Sequence, residues 1–233
     1  RAHMGAKLTG EKRTLVLATI ANERLADGVM LSLMLLPFLF SIGNDEVSNG
    51  LMWVVVLFAL AAVAFGAVLL LREQLFSLFD TFHGKLQWKS TDYTRNRIRL
   101  FLHGLSPLFS LKRFPIVLLW SVLVWLVELT VYIAVATSYD VELSLAQAII
   151  FLAAVNFSSL IPAAPGGIGV IEAIASHILV AVGVTQDFEI ALAMVLSQHV
   201  IQYIVVGAPG AFVMFSWRSK LEEIEEDTQL EHE

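Results

Sequence analysis

From Leu51 to Leu71 the chain runs through 21 residues without a single charge. As a helix rising about 1.5 Å per residue, such a run matches the roughly 30 Å hydrocarbon core of a bilayer. Pro115–Thr137 is a second run of this kind, interrupted by Glu128 alone, and Thr14–Ile42, Leu143–Ile161, Val170–Val184 and Ile190–Phe215 are further apolar segments. The expected fold is therefore all-α, a polytopic transmembrane helical bundle of about six spans. Composition agrees, with 57% hydrophobic residues and a mean hydropathy of +0.74, against roughly half apolar content in soluble domains. A chain of 233 residues filled with such segments leaves no room for a separate soluble catalytic domain. With no cysteine there is no disulfide framework, Cys-ligated metal or thiol nucleophile.

Charge sets the expected topology. Lys and Arg fall in the amino-terminal part through Arg24, in the connection Arg72–Arg113, or just after the last apolar segment, at Arg218 and Lys220. The short links Gly43–Gly50, Ser138–Glu142 and Thr185–Glu189 carry acids and no bases. Six crossings then place both termini and the long connection on the cytoplasmic side of the cell membrane. The net charge of −6 comes largely from the tail, residues 216–233, which turns acidic through Glu222, Glu223, Glu225, Glu226 and Asp227. That tail reads as a solvated cytoplasmic helix. The chain opens at Arg1 without methionine or signal core and reads as a piece of a longer protein, with His3-Met4-Gly5 either native or left from cloning.

The connection Arg72–Arg113 interleaves Phe76, Phe79, Phe82, Trp88, Phe101 and Phe109 with its bases. Between two spans, this composition suits the headgroup plane of an anionic membrane rather than a nucleic acid.

The stretch Asn156–Glu172 interrupts the apolar pattern with Pro162, Pro165, Gly166, Gly167 and Gly169. Proline removes a backbone donor and glycine opens conformations a helix cannot use, so a helix must break here. Broken backbone at membrane depth survives only where protein buries it or a polar cavity receives it. The stretch is either a binding site, with Val170–Val184 as half of a re-entrant hairpin, or a turn at the membrane surface.

Few polar residues lie inside the apolar segments. Arg24 and Asp27 are three apart on one helix face, as an interfacial pair or one turned into the bundle. Glu128 lies mid-run with Trp125 and Tyr132 on its face, and Tyr132 could hydrogen-bond a protonated Glu128. Gln147 and Asn156 lie on the fourth segment. On the last, Gln198 and Gln202 suit polar contacts between helices, and His199 suits a satisfied interior histidine. His177 and His199 lack metal-ligand spacing, so neither metal nor cofactor is expected. Ala62 and Gly66 permit close helix approach. A second copy of the chain or a partner enzyme stays open as a partner.

Glu23-Arg24-Leu25-Ala26-Asp27 at the first span, and Pro162-Ala-Ala-Pro165-Gly166-Gly167-Ile-Gly169-Val-Ile-Glu172, together resemble the lysylphosphatidylglycerol synthase transmembrane (flippase-like) family. The resemblance covers the chain from about Arg1 to Phe215 and implies one membrane domain, residues 1–215, that moves lipids or lipid-linked groups between leaflets. Relatives usually carry further spans before the Glu-Arg-x-x-Asp helix, which this sequence lacks. An arginine frequent in the family's last span is replaced around Gln198 and His199.

A protein moving lipid must shelter a charged headgroup while the tails stay in hydrocarbon. The glycines precede a helix whose first N–H groups attract a phosphate, and Arg24 could add a bidentate contact to an anionic phospholipid. Glu172, in that helix's first turn, either caps it or pairs with Arg24 or a cationic headgroup. The residues expected to bind substrate are thus Arg24, Asp27, Glu128, Asn156, Pro162, Pro165, Gly166, Gly167, Gly169 and Glu172. A proton-coupled carrier of small solutes, using Glu128, Glu172 and His199, and a noncatalytic membrane subunit of a lipid-modifying enzyme are the competing readings. An enzyme is not expected, because the Gly166–Gly169 run lacks the strand and spacing of a nucleotide loop.

Overall fold

A computed structural model describes residues 13–71, 114–161, 165–213 and 215–216, with 74 and 77 as isolated helical positions. The connection after Arg72, the acidic tail and Pro162 lie outside the described residues. Every regular element among those described is helical. In order they are α1 (Arg13–Leu35), α2 (Asp45–Leu70), α3 (Phe114–Ser138), α4 (Leu145–Ser158), α5 (Val170–Ala181) and α6 (Phe188–Gln202). They fall into two compact units divided within α3, after Leu129.

In the first unit, α1 ends where Pro37 enters a 3₁₀ turn, Leu36–Ser41, so the single helix expected across Thr14–Ile42 is shorter. Ser48 Oγ donates to Leu39 O at 3.0 Å and ties this turn to α2. Asn44 caps α2, its Oδ1 accepting from the Glu46 and Val47 N–H groups at 3.1 Å each, with Asp45 and Glu46 favourably placed at the positive helix end. The two helices approach closely at Gly28, where a Cβ would meet the Phe58 ring at 1.9 Å. Along α2, Trp53, Leu57, Leu60 and Val63 stay exposed. On a soluble protein this would be a large apolar patch, whereas in hydrocarbon it is the natural outer face.

In the second unit, α4 is buried from Ala148 through Val155 and forms the centre. Ser144 and Gln147 close a capping box at its start, and Gln147 Nε2 also donates to the Gly183 carbonyl at 3.2 Å. At the end of α5, Gly183 adopts φ +73°. The Val184 N–H reaches Leu179 O at 2.9 Å and the Gly183 N–H reaches Val180 O at 3.0 Å, a Schellman ending. Asp187 caps α6 through the Glu189 N–H at 2.8 Å. Tyr139 Oη, just after α3, bonds Ser197 Oγ on α6 at 2.7 Å.

Among the described residues three helices are long and apolar enough to cross a membrane: Asp45–Val68, Pro115–Ser138 and Phe188–Val213. The last contains α6, a π turn at Tyr203–Gly207 and further helix beyond it. Pro209 accounts for the π turn, because its ring cannot sit against the carbonyl four residues back, Val205, and it has no N–H to donate. By contrast α4 and α5, with 14 and 12 residues, measure only about 21 and 18 Å. They pack on each other as a helical hairpin joined by the Pro/Gly stretch.

Candidate functional site

Three glycines shape the connection into α5. Gly166, Gly167 and Gly169 have φ of +72°, +74° and +85°, in the left-handed region that residues with a Cβ rarely occupy. Gly166 also lies beneath Tyr203, where a Cβ would sit 1.6 Å from the phenol oxygen.

Glu172, at the third position of α5, reaches back so that its Oε2 accepts the Gly169 N–H at 2.6 Å. This is the carboxylate half of a capping box, and it places a negative charge at the positive helix end. Its other oxygen, Oε1, lies 2.5 Å from His199 Nδ1, with the two side chains only 9% and 7% exposed. The opposite ring nitrogen, His199 Nε2, faces the Gly166 carbonyl at 3.1 Å. Tyr203 Oη donates to the same carbonyl at 2.9 Å. Tyr203 follows His199 by one helical turn, and their rings lie 4.8 Å apart, inclined by 30°. One carboxylate, one imidazole and one phenol thus fasten both ends of the loop Gly166–Gly169 to α5 and α6. Nearby on the same two helices, the buried Ser176 Oγ and Gln198 Oε1 have no hydrogen-bond partner.

The expected site residues are distributed unevenly. Gly166, Gly167, Gly169 and Glu172 come together in this loop, which Pro165 opens as the first residue of a short 3₁₀ turn. Asn156 belongs to the same unit and donates from Nδ2 to Tyr132 Oη at 3.1 Å and to Leu152 O at 2.9 Å. The Tyr132 ring packs edge-on against Phe151 at 4.9 Å. Arg24 and Asp27 belong to the other unit, where they pair at 3.7 Å with side chains 54% and 37% exposed. Glu128 is half-buried on α3. Among the described residues no three His, Asp or Glu side chains converge on one point.

The sequence offers Glu172 as a cap of its helix or as a partner for Arg24 or a cationic headgroup; in the structure one oxygen makes the cap and the other meets His199. Tyr203 is not singled out by the sequence. The available signal was the four-residue spacing of His199 and Tyr203, which sets both on one helix face.

The geometry is that of a glycine-broken helical hairpin held by buried polar groups beside long apolar helices. No curated protein and no solved structure matches the chain. The family model for the lysylphosphatidylglycerol synthase TM region matches residues 1–210, and the chain belongs to that family.

Proposed function

We propose that this integral membrane protein of a lipid-handling family translocates a phospholipid, or a lipid-linked group, between the leaflets of the cell membrane. The observation that carries the reading is the glycine loop between α4 and α5. Two apolar helices too short to cross hydrocarbon bring an irregular backbone to depth, and irregular backbone there belongs beside protein or a wet cavity. In this reading α4 and α5 enter and leave from the outer side, while α1, α2, α3 and α6 cross. Both termini then remain cytoplasmic, in keeping with the placement of Lys and Arg. About 21 Å of α4 carries the loop roughly two thirds of the way through a 30 Å core. Arg24, more than half exposed, is the cation offered to an anionic headgroup. The chain acts as a carrier and not as an enzyme.

The test is a vesicle assay with the purified chain and fluorescent phosphatidylglycerol, bleached from outside by a membrane-impermeant reductant. Translocation brings the inner-leaflet pool within reach of the reductant. Bleaching that stops at the outer-leaflet pool, as in protein-free vesicles, would refute the reading. Copurification of a lipid-modifying enzyme alongside that result would favour a noncatalytic subunit.

A further inference from the structure

Both ring nitrogens of His199 face oxygen acceptors, the Glu172 carboxylate and the Gly166 carbonyl. A neutral imidazole carries one N–H, and a backbone carbonyl only accepts. If Nε2–H donates to Gly166 O, the 2.5 Å contact between Nδ1 and Glu172 Oε1 must hold another proton. That proton sits either on an imidazolium facing a carboxylate or on a carboxylic acid facing a bare Nδ1. In both arrangements the pair is neutral overall, as its burial favours.

We infer that Glu172 and His199 form a proton-binding site whose occupancy latches the Gly166–Gly169 loop onto α6. When the proton leaves to water, the one remaining ring proton moves to Nδ1 to satisfy the carboxylate. The bare Nε2 then faces the Gly166 carbonyl, lone pair against lone pair, and that contact breaks. Gly166 O keeps only the hydroxyl of Tyr203, a side chain 44% exposed. Protonated, the loop is closed; deprotonated, it is free to move. This holds whether or not the chain moves lipid.

Among the described residues of the unit, the other titratable groups are these, with Asp140 and Glu142 in the link between α3 and α4. Tyr203 faces the loop but serves as a donor in both states. His177 on α5 is exposed, with Nδ1 against Ala173 O and its ring against Phe188. Asp187 and Glu189 lie at the start of α6, and Tyr139 is held by Ser197. Tyr132, on α3, is held by Asn156, and α4 contributes no titratable group.

The absence of native cysteine makes the test direct. A spin label at Ile168→Cys, an exposed position within the loop, reports loop mobility in the full chain in nanodiscs. Raising the pH from about 5 to about 9 should increase the mobile fraction severalfold. The response should vanish in Glu172→Gln and persist in His177→Gln. A spectrum unchanged across that range, or a response surviving in Glu172→Gln, overturns the inference. As a check free of substitutions at the pair, ¹⁵N NMR of histidine-labelled native chain should find His199 Nε2 protonated at the acid end and bare at the alkaline end. An Nε2 that is bare throughout overturns it equally.

Discussion

Replacing Gly166 by alanine tests how the loop is held, and its cost follows from two separable effects. The first is conformational, because at φ +72° an L-residue is disfavoured by about 1–2 kcal/mol. The second is steric, because the new methyl would lie 1.6 Å from Tyr203 Oη and 2.9 Å from its Cζ. Tyr203 is partly exposed and can swing aside, but only by giving up its bond to Gly166 O, worth about 1 kcal/mol. The sum is roughly 2–3 kcal/mol, a melting-temperature fall of roughly 5–10 °C for a chain of this length. Gly169→Ala supplies the comparison, since φ is +85° but nothing lies within 4 Å of its Cβ, so only the conformational cost applies. Tyr203→Leu added to Gly166→Ala should cost nothing further, because the bond to Gly166 O is already lost, and the double-mutant cycle should give a coupling of about 1 kcal/mol. Thermal unfolding in one detergent measures all five proteins. Equal melting temperatures for Gly166→Ala and the native chain, or no coupling with position 203, would refute the described contact.

Three further expectations follow from the same geometry. Gly28→Ala should destabilise the first unit, since its Cβ meets the Phe58 ring at 1.9 Å, and Phe58→Leu should restore much of the loss in the same melting assay. Arg24→Ala should abolish lipid movement in vesicles while membrane insertion, read by extraction with alkali, stays intact; full activity would remove Arg24 from the transport reading. Because release of the shared proton frees the loop, the initial rate of lipid movement should rise with pH in the native chain. It should lose that dependence in Glu172→Gln, as measured in vesicles with equal pH on both sides.

Much of the fold was legible because long apolar runs have few physical solutions. The uncharged run after Gly50 and the run after Phe114 became helices of spanning length for the reason their composition suggests. Helix ends were less legible. Pro37 closed α1 before the apolar pattern stopped, the fourth segment lost residues to the turn after Ser158, and the fifth, already short for an upright span, was trimmed further by the Gly183 ending. At the site, proline and glycine announced the break, and Glu172 at the third helical position announced the cap, since both are local effects. The identity of Glu172's second partner was not local. His199 lies 27 residues away on a helix whose approach depends on packing between α5 and α6, which no spacing within either segment encodes. Of the roles the sequence left open for Glu172, the cap formed, and His199 took the second oxygen.

The π turn at Tyr203–Gly207 holds one residue more than an α-helix needs for the same advance. Against a relative that is α-helical throughout, this segment aligns only with a single-residue gap between His199 and Pro209. Without that gap, every position beyond Gly207 would be read about 100° out of phase, and lipid-facing residues would be matched with inward-facing ones.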